Sequence, residues 1–396
     1  MKFPRRAALP LSLVGLALSL AACGPGGPMG GLGQRADAPP PAQAPPAQTD
    51  GATIGAGPVK IGLILPLTQN AGPSVVGASL RNAAELAIAE TGGADVTLLV
   101  KDDRSSAEGA RAAAEAALAE GADLIIGPLF ANGVREAGRV ARAKGKPVIA
   151  FSTDASTAAG GVYLLSFLIE SYVDRIVDYA VSKGKKSVAA LAPQNDYGNV
   201  ALAAFQSAAA RRDLRVMAIE RYAPGGVAAA AQKVASLGGQ IDTLFIPEQA
   251  EAMAGVAQAL TTAGVDGRKV QLLGTGLWND ARVLKLPGLQ GAWFAAPENA
   301  GFNAFATRYR AKYGSDPTRI ATLGYDAASL AAALARTQGS QRFADSVLTN
   351  TSGFNGADGV FRFRPDGLND RGLAVLQISN GAANSVSPAP RSFSGT

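Results

Sequence analysis

The stretch that decides the fold is Val59-Lys60-Ile61-Gly62-Leu63-Ile64-Leu65, a short and almost continuous apolar run. Such a run is typical of a β-strand that is buried on both faces. From Ser74 to Thr91 apolar side chains recur at helical spacing, and residues 96–100 form a second apolar run. A strand, a helix and a strand in this order predict a right-handed βαβ unit of a parallel sheet.

The same alternation continues along the chain and then restarts. The first series has further strands at residues 124–126 and 148–150, with helices at 105–120 and 132–144. The second series has strands at 187–191, 214–219, 243–246 and 270–273, separated by helices at 199–212, 227–237 and 249–263. Two helices at 300–312 and 320–338 and a hairpin of 360–364 with 373–378 follow. The sequence therefore predicts an α/β fold with two lobes, each a parallel sheet flanked by helices.

The first 22 residues have the parts of a secretory signal peptide: basic residues near the start, an apolar stretch, and small residues before Cys23. Leu20-Ala21-Ala22-Cys23 resembles a bacterial lipobox, and the resemblance implies that Cys23 is lipidated and becomes the new N-terminus. Residues 23–58 are rich in Gly and Pro, which predicts a disordered tether. A passive stalk and a functional spacer both fit this tether, and an ordinary signal peptide remains the alternative to the lipobox.

Composition excludes several classes of function. The 396 residues contain no histidine and one cysteine, which removes Ser-His and Cys-His nucleophile pairs and internal disulfides. The formal net charge is +6, but no basic block is dense enough to indicate nucleic-acid binding. No nucleotide-binding glycine motif is present. We therefore expect a protein that is not an enzyme and has no cofactor, no metal and no nucleic-acid partner.

Six short motifs, taken in order, resemble the leucine/isoleucine/valine-binding group of type I periplasmic binding proteins. They are residues 61–68, 101–103, 124–128, 147–153, 195–198 and 324–327. The resemblance implies two lobes that are joined by crossing segments and close on a ligand. Lobe 1 is expected to hold about 59–166 and 300–350, and lobe 2 about 167–299 and 351–380, before a polar tail at 381–396.

The ligand cleft is expected beyond the carboxyl ends of the parallel strands. The side chains expected to line it are Thr68, Asn132, Ser152, Thr153, Asp154, Tyr197, Glu248 and Trp278. Of these, only Tyr197 clearly matches a contact of the family. Tyr197 and Trp278 could instead pack under loops, and Asp154, Asp196 and Glu248 could form a metal site. Asp102 and Asp103 could be a catalytic carboxylate pair, but we favour a structural strand end.

The sequence departs from the amino-acid clamp that the resemblance implies. Amino-acid binders of the family carry small hydroxyl residues after the Gly-Pro turn, whereas this chain has Leu129-Phe130-Ala131. The loop at residues 274–278 lacks the expected acidic partner for a ligand ammonium, and Asp154 stands where a threonine is common. Because an ammonium buried without a carboxylate is costly, the standard zwitterion pocket is incomplete.

Lipoproteins that activate penicillin-binding proteins, the bifunctional peptidoglycan synthases, have the same fold on a lipidated N-terminus. The lipobox, the tether and the incomplete clamp favour this resemblance, and Gly24 fits sorting to the outer membrane. We therefore expect a non-catalytic lipoprotein that faces the periplasm and regulates peptidoglycan synthesis by binding a synthase, with a cleft narrowed or filled by Phe130 and Trp278. The alternative is the substrate-binding protein of an ABC importer, with a permease as partner and amino acids or similar small polar solutes as ligands.

Overall fold

The structure, a computed structural model, describes residues 51–70 and 72–393. The predicted signal peptide at residues 1–22, the lipidation site Cys23 and residues 24–50 of the tether lie outside the described residues. In the described ranges, no helix combines the length and the apolar character needed to cross a membrane.

The first lobe is a sheet flanked by helices. Its strands are β1 (Thr53–Ile54), β2 (Val59–Leu65), β3 (Thr68–Gln69), β4 (Gly72–Pro73), β5 (Val96–Asp102), β6 (Leu124–Ile126), β7 (Val148–Ala150) and β8 (Val162–Leu164), and its helices are α1 (Val75–Glu90), α2 (Ala107–Ala119) and α3 (Ala131–Ala143). The sheet has the order β1-β5-β2-β6-β7-β8, while β3 and β4 form a separate pair. All neighbours in the six-stranded sheet are parallel except β1, which is antiparallel to β5.

The second lobe repeats this design. Its strands are β9 (Ser187–Pro193), β10 (Arg215–Tyr222), β11 (Thr243–Phe245), β12 (Gln271–Gly274) and β13 (Trp293–Ala296), and its helices are α4 (Ile169–Ser182), α5 (Asp196–Arg211), α6 (Val227–Ser236), α7 (Met253–Thr262) and α8 (Ala281–Leu284). The parallel order is β10-β9-β11-β12-β13. The sequence prediction of a two-lobed α/β fold is therefore confirmed.

The C-terminal segment returns to the first lobe before it completes the second. Its elements are α9 (Asn299–Tyr313), α10 (Ala321–Thr337), α11 (Asp345–Leu348), β14 (Phe354–Gly356), β15 (Gly359–Phe363), β16 (Asn369–Arg371), β17 (Ala374–Ser379) and β18 (Ala382–Ser387). Phe305 of α9 packs with α1, and Phe361 of β15 lies in the same core as Ile61. Strands β17 and β18 extend the second sheet next to β13. The described chain thus crosses between the lobes at residues 165–168, 297–298 and 372–373.

Strand β2 has the predicted bounds and the predicted burial. All of its residues except Lys60 are buried. Ile61 and Leu63 face the core that contains α1 and α10, whereas Ile64 faces the core under α2 and α3. Because both faces are covered by helices, the strand reads as one continuous apolar run.

Three predicted boundaries are wrong. Residues 51–57, assigned to the tether, run along the first sheet, where Thr53 and Ile54 pair with Leu99 and Leu98. Residues 354–371, assigned to lobe 2, form the sheet β14-β15-β16 on the first-lobe core, so β15 does not make a hairpin with β17. Residues 382–387, assigned to the tail, form β18. Contacts between distant parts of the chain decide these strands, and local periodicity does not encode them.

The first and third crossings are tied to each other by side chains. The carbonyl of Ser166 accepts hydrogen bonds from Asn369 Nδ2 at 3.0 Å and from Arg371 Nε at 3.1 Å. The Arg371 guanidinium also lies 4.6 Å from the centroid of the Phe167 ring, within the range of a cation–π contact. These contacts join residues 165–168 and 369–373 into one connection between the lobes, which we call the hinge below.

A buried charge pair lies next to this hinge. Arg371 Nη2 is 4.0 Å from Asp326 Oδ2, and both side chains are almost fully buried. Asp326 Oδ1 accepts a hydrogen bond from the N–H of Ala357 at 2.6 Å. Burial raises the pKa of Asp326 to about 7, although the Arg371 guanidinium acts in the opposite direction. Loss of water around the carboxylate therefore outweighs the attraction of its counter-ion.

The pKa of Asp326 makes a pH dependence of stability testable. Because the folded state holds this proton more tightly than the unfolded chain, the free energy of unfolding should fall as the pH rises from about 4 to about 7. Asp103, with a pKa near 6, contributes to the lower part of this range. Asp326→Asn should flatten the decline between about pH 6 and 7, measured by urea unfolding at several pH values. Asp316→Asn, at an exposed carboxylate that pairs with Arg310, is the control; an unchanged slope in Asp326→Asn would contradict the assignment.

Candidate ligand cleft between the lobes

The carboxyl ends of both parallel sheets lie next to the crossings. Strand β8 ends immediately before the crossing at 165–168, and β13 ends immediately before the crossing at 297–298. Because parallel strands share one direction, the carboxyl edges of the two sheets are both on the hinge side of their lobes. We take the loops that follow these strands as the two walls of the candidate cleft.

In the first wall, Thr68 holds a loop in place. Its hydroxyl donates to Asp102 Oδ2 at 2.6 Å, and the N–H groups of Leu67 and Thr68 donate to Asp102 Oδ1. The neighbouring Asp103 is buried and accepts from the N–H of Ser105. Burial raises the pKa of Asp103 to about 6. The structure thus gives the Asp102–Asp103 pair the structural role that we favoured over catalysis.

The turn after β6 places Phe130 at the edge of this wall. Gly127 has a φ of +87°, and a Cβ there would lie 1.9 Å from the carbonyl oxygen of Ile64, so the position requires glycine. Phe130 is the N-cap residue of α3 but gives no side-chain cap, and it is 41% exposed. The turn at residues 129–131 therefore offers no side-chain hydroxyl to this wall.

Asp154 places an ionised carboxylate on the first wall. It accepts hydrogen bonds from the Ser156 hydroxyl at 2.6 Å and from Arg135 Nη2 at 2.7 Å. The Ser156 bonds, aided by Arg135, hold the pKa of Asp154 below its ordinary value, although partial burial opposes them. Arg135 also donates to Asn132 Oδ1, and the buried Ser152 hydroxyl accepts from the N–H of Asp154. Asn132, Ser152 and Asp154 thus form one group, beside an exposed Thr153.

Two tyrosines shape the second wall. Tyr197, in the first turn of α5, has its hydroxyl 2.5 Å from Thr275 Oγ1. Tyr172 of α4 packs against Gly276, where an added Cβ would lie 2.5 Å from the ring atom Cζ. Burial raises the pKa of Tyr197 and raises the pKa of Tyr172 to about 12. Both hydroxyls are therefore neutral at physiological pH.

The prediction that Trp278 lines or fills the cleft is wrong. Its side chain is completely buried in the core of the second lobe. The ring lies against Gly274, where a Cβ would come within 2.2 Å of it. Because position 274 carries no side chain, the indole fits beneath the loop instead of pointing outward.

Glu248 follows β11 and is buried, with 4% of its surface exposed. It accepts hydrogen bonds from the hydroxyl of Tyr222 and from the N–H of Gln249. Glu248 is thus held within lobe 2, while Asp154 is held within lobe 1 by Arg135. In the part of the chain that the structure describes, no group of three or more His, Cys, Asp or Glu residues is placed to hold a metal ion.

Sequence reasoning missed two residues of these walls. Tyr172 belongs to helix α4, which is absent from the predicted elements, although Val173, Ile176, Val177 and Ala180 show helical spacing. Arg135 lies one helical turn after Asn132, on the helix that starts at the cleft edge. That spacing, together with the nearby Asp154 loop, is the signal that could have identified it.

Comparison with known proteins indicates a family. The family described as periplasmic binding protein matches residues 58–383 of the chain. No curated protein matches the sequence.

Solved structures share the fold along almost their whole length. A Rhodospirillum rubrum protein assigned to branched-chain amino acid ABC transport has a TM-score of 0.72 at 21% identity, covering 83% of this chain and 99% of its own. A branched-chain amino acid transporter substrate-binding protein from Streptococcus pneumoniae, in complex with isoleucine, has a TM-score of 0.59 at 21% identity, covering 83% and 99%. A solute-binding protein from Rhodopseudomonas palustris, in complex with 3,4-dihydroxybenzoic acid, has a TM-score of 0.60 at 20% identity, covering 84% of this chain and 96% of its own. At these identities the likeness shows the fold.

The position of Trp278 can be tested by stability. Trp278→Ala should lower the free energy of unfolding by about 3–5 kcal/mol, because it leaves a cavity in the core of lobe 2. Leu277→Ala, at the neighbouring position that is 39% exposed, is the control and should cost less than about 1 kcal/mol. Urea unfolding of both variants gives the comparison. If Trp278→Ala lowers the free energy of unfolding by less than about 1 kcal/mol, Trp278 is not packed in the core, and the prediction that it lines the cleft stands again.

Proposed function

The chain belongs to the periplasmic binding protein family, and from this membership we propose that it is a non-catalytic binding protein that takes a small polar ligand between its lobes and presents it to an ABC permease. The family supports a periplasmic location. The solved structures that share this fold include binding proteins of ABC transporters, and this likeness favours the proposed function. In this proposal the ligand bridges the two walls and favours the closed arrangement of the lobes, since binding to one conformation shifts the population toward it.

The observation that carries the proposal is the tyrosine pair next to the hinge. Tyr172 and Tyr197 are neutral, and they lie beside Thr275 and Gly276 on the carboxyl edge of the second sheet. Hydroxyl groups at the carboxyl edge of a parallel sheet are typical of a site that orients a small polar molecule. Tyr172 is also buried in a core of the second lobe, whereas Tyr197 is half-buried in the first turn of α5.

The first wall limits the class of ligand. Its turn at residues 129–131 offers no hydroxyl, and Asp154 presents a negative charge that Arg135 only partly balances. A carboxylate placed against Asp154 would be repelled, because like charges at short distance disfavour the ionised forms. We therefore propose a polar solute that donates hydrogen bonds to the first wall, such as an amide or an amine, in preference to an α-amino acid held by its carboxylate.

A second candidate function is the one favoured by the sequence, a lipid-anchored regulator of a peptidoglycan synthase. One structural observation favours it: Phe130 is exposed at the cleft edge, where a protein partner could cover it. The lipid anchor at Cys23 and the outer-membrane location belong to this proposal and rest on the sequence alone.

The test is a thermal-shift screen of the full chain with amides, amines, amino acids and short peptides. A ligand at 100 times its Kd should add about 2.7 kcal/mol to the free energy of unfolding. Tyr197→Phe should weaken that ligand about tenfold, because it removes one hydroxyl, while Tyr313→Phe, whose hydroxyl bonds Asn82 in lobe 1, should leave it unchanged. If no compound raises the melting temperature, and the full chain stimulates a purified bifunctional peptidoglycan synthase, the second candidate function replaces this one.

A further inference from the structure

A separate pocket of about 340 Å³ opens within the second lobe, at the carboxyl ends of β9, β10 and β11. Its walls are mostly apolar and come from the loops and from the first turns of two helices. The apolar residues that line it include Pro193, Pro224, Val227, Ala252 and Val256. The volume is at the lower end of the range for small-molecule sites. A compact aliphatic group therefore fits this pocket.

Glu248 is the one buried carboxylate that lines the pocket. Tyr222, which also lines it, donates its hydroxyl to Oε2, and the N–H of Gln249 donates to Oε1 at 2.7 Å. An ionised carboxylate has about four acceptor positions, so two donors leave capacity for more. The positions that remain on Glu248 can accept hydrogen bonds from a group inside the pocket.

In the described residues, no Lys or Arg forms an ion pair with Glu248. Arg282 pairs at 2.9 Å with Glu251 of the pocket lining, Lys233 pairs with Glu220, and Arg221 donates to Asn199, so these cations have other partners. A buried carboxylate with hydrogen bonds but no counter-ion attracts a positive partner strongly, because the low local dielectric weakens screening. The charge of Glu248 therefore favours a cation in the pocket.

The geometry points to a binding site for a primary aliphatic ammonium group, with the ammonium on Glu248 and the alkyl chain against the apolar wall. A carboxylate-bearing ligand is disfavoured, because no cation lines the pocket. The site lies within one lobe and does not require closure over the tyrosine pair. The inference therefore goes beyond the proposed function and stands or falls separately from it.

A purely structural role for Glu248 is the competing explanation. In that case its bonds with Tyr222 and Gln249 would only fix the loop after β11, and the pocket would hold water. The two explanations differ in what a substitution changes, because a structural role affects stability, whereas a site affects the binding of an ammonium probe.

Calorimetric titration of the full chain with n-butylammonium at pH 7 tests the inference, with 1-butanol and butyrate as matched probes without positive charge. Butylammonium should bind, and both other probes should not. Glu248→Gln keeps an acceptor for Tyr222 but removes the charge, and should weaken butylammonium at least tenfold. Glu251→Gln, at the exposed rim carboxylate paired with Arg282, is the matched control and should change the affinity less than threefold.

Gly255→Leu is the second variant, because position 255 lines the pocket and an added Cβ there meets no atom within 4 Å. It should block the pocket and abolish butylammonium binding without lowering the melting temperature, since Gly is the weaker helix former.

The inference is overturned if butylammonium does not bind, if butanol binds equally well, or if Glu248→Gln leaves the affinity unchanged. A loss of butylammonium binding in Tyr197→Phe would place the amine in the cleft and would equally overturn a separate pocket.

Discussion

A chain that crosses between two sheets must satisfy its backbone polar groups where no strand lies beside it. Here the carbonyl of Ser166 is bound by Asn369 and Arg371, which joins the first crossing to the third. Arg371 is in turn placed against Asp326, whose other oxygen holds the turn at Ala357. This buried pair anchors the hinge to the core of the first lobe. The position of each wall of the cleft therefore depends on contacts that lie outside the cleft.

The two walls have different chemistry. The first is anionic at Asp154, apolar at Phe130, and braced internally by Asp102 and Arg135. The second offers neutral phenolic hydroxyls. Side chains of the same lobe hold each wall in place, Arg135 on Asp154 in the first and Tyr197 on Thr275 in the second. A ligand that donates to the first wall and accepts from the second adds contacts that neither lobe can make alone.

Much of this fold can be read from the sequence, because strands buried on both faces carry their own signal. Residues 59–65 form β2 with the predicted bounds, and Ser74 is the N-cap of α1. The cleft side chains are less accessible to such reasoning. Trp278 lies in the loop after a strand, where a cleft residue is also expected. Its ring is buried because Gly274 has no side chain to occupy the same space. The bond between Tyr197 and Thr275 joins residues 78 positions apart, and no local pattern predicts it. Residues 354–371 are misassigned for the same reason, since Phe361 is placed by its contact with the distant first-lobe core.

The central claim is that a ligand bound between the lobes closes them about the hinge, and an interlobe distance tests it most directly. Cys23 is the only cysteine, so Cys23→Ser with Glu108→Cys and Val200→Cys gives one exposed spin label on a helix of each lobe. Pulsed electron resonance with saturating ligand should show a shorter distance than without ligand. The same distance distribution in both samples, with binding verified by calorimetry, would contradict the account.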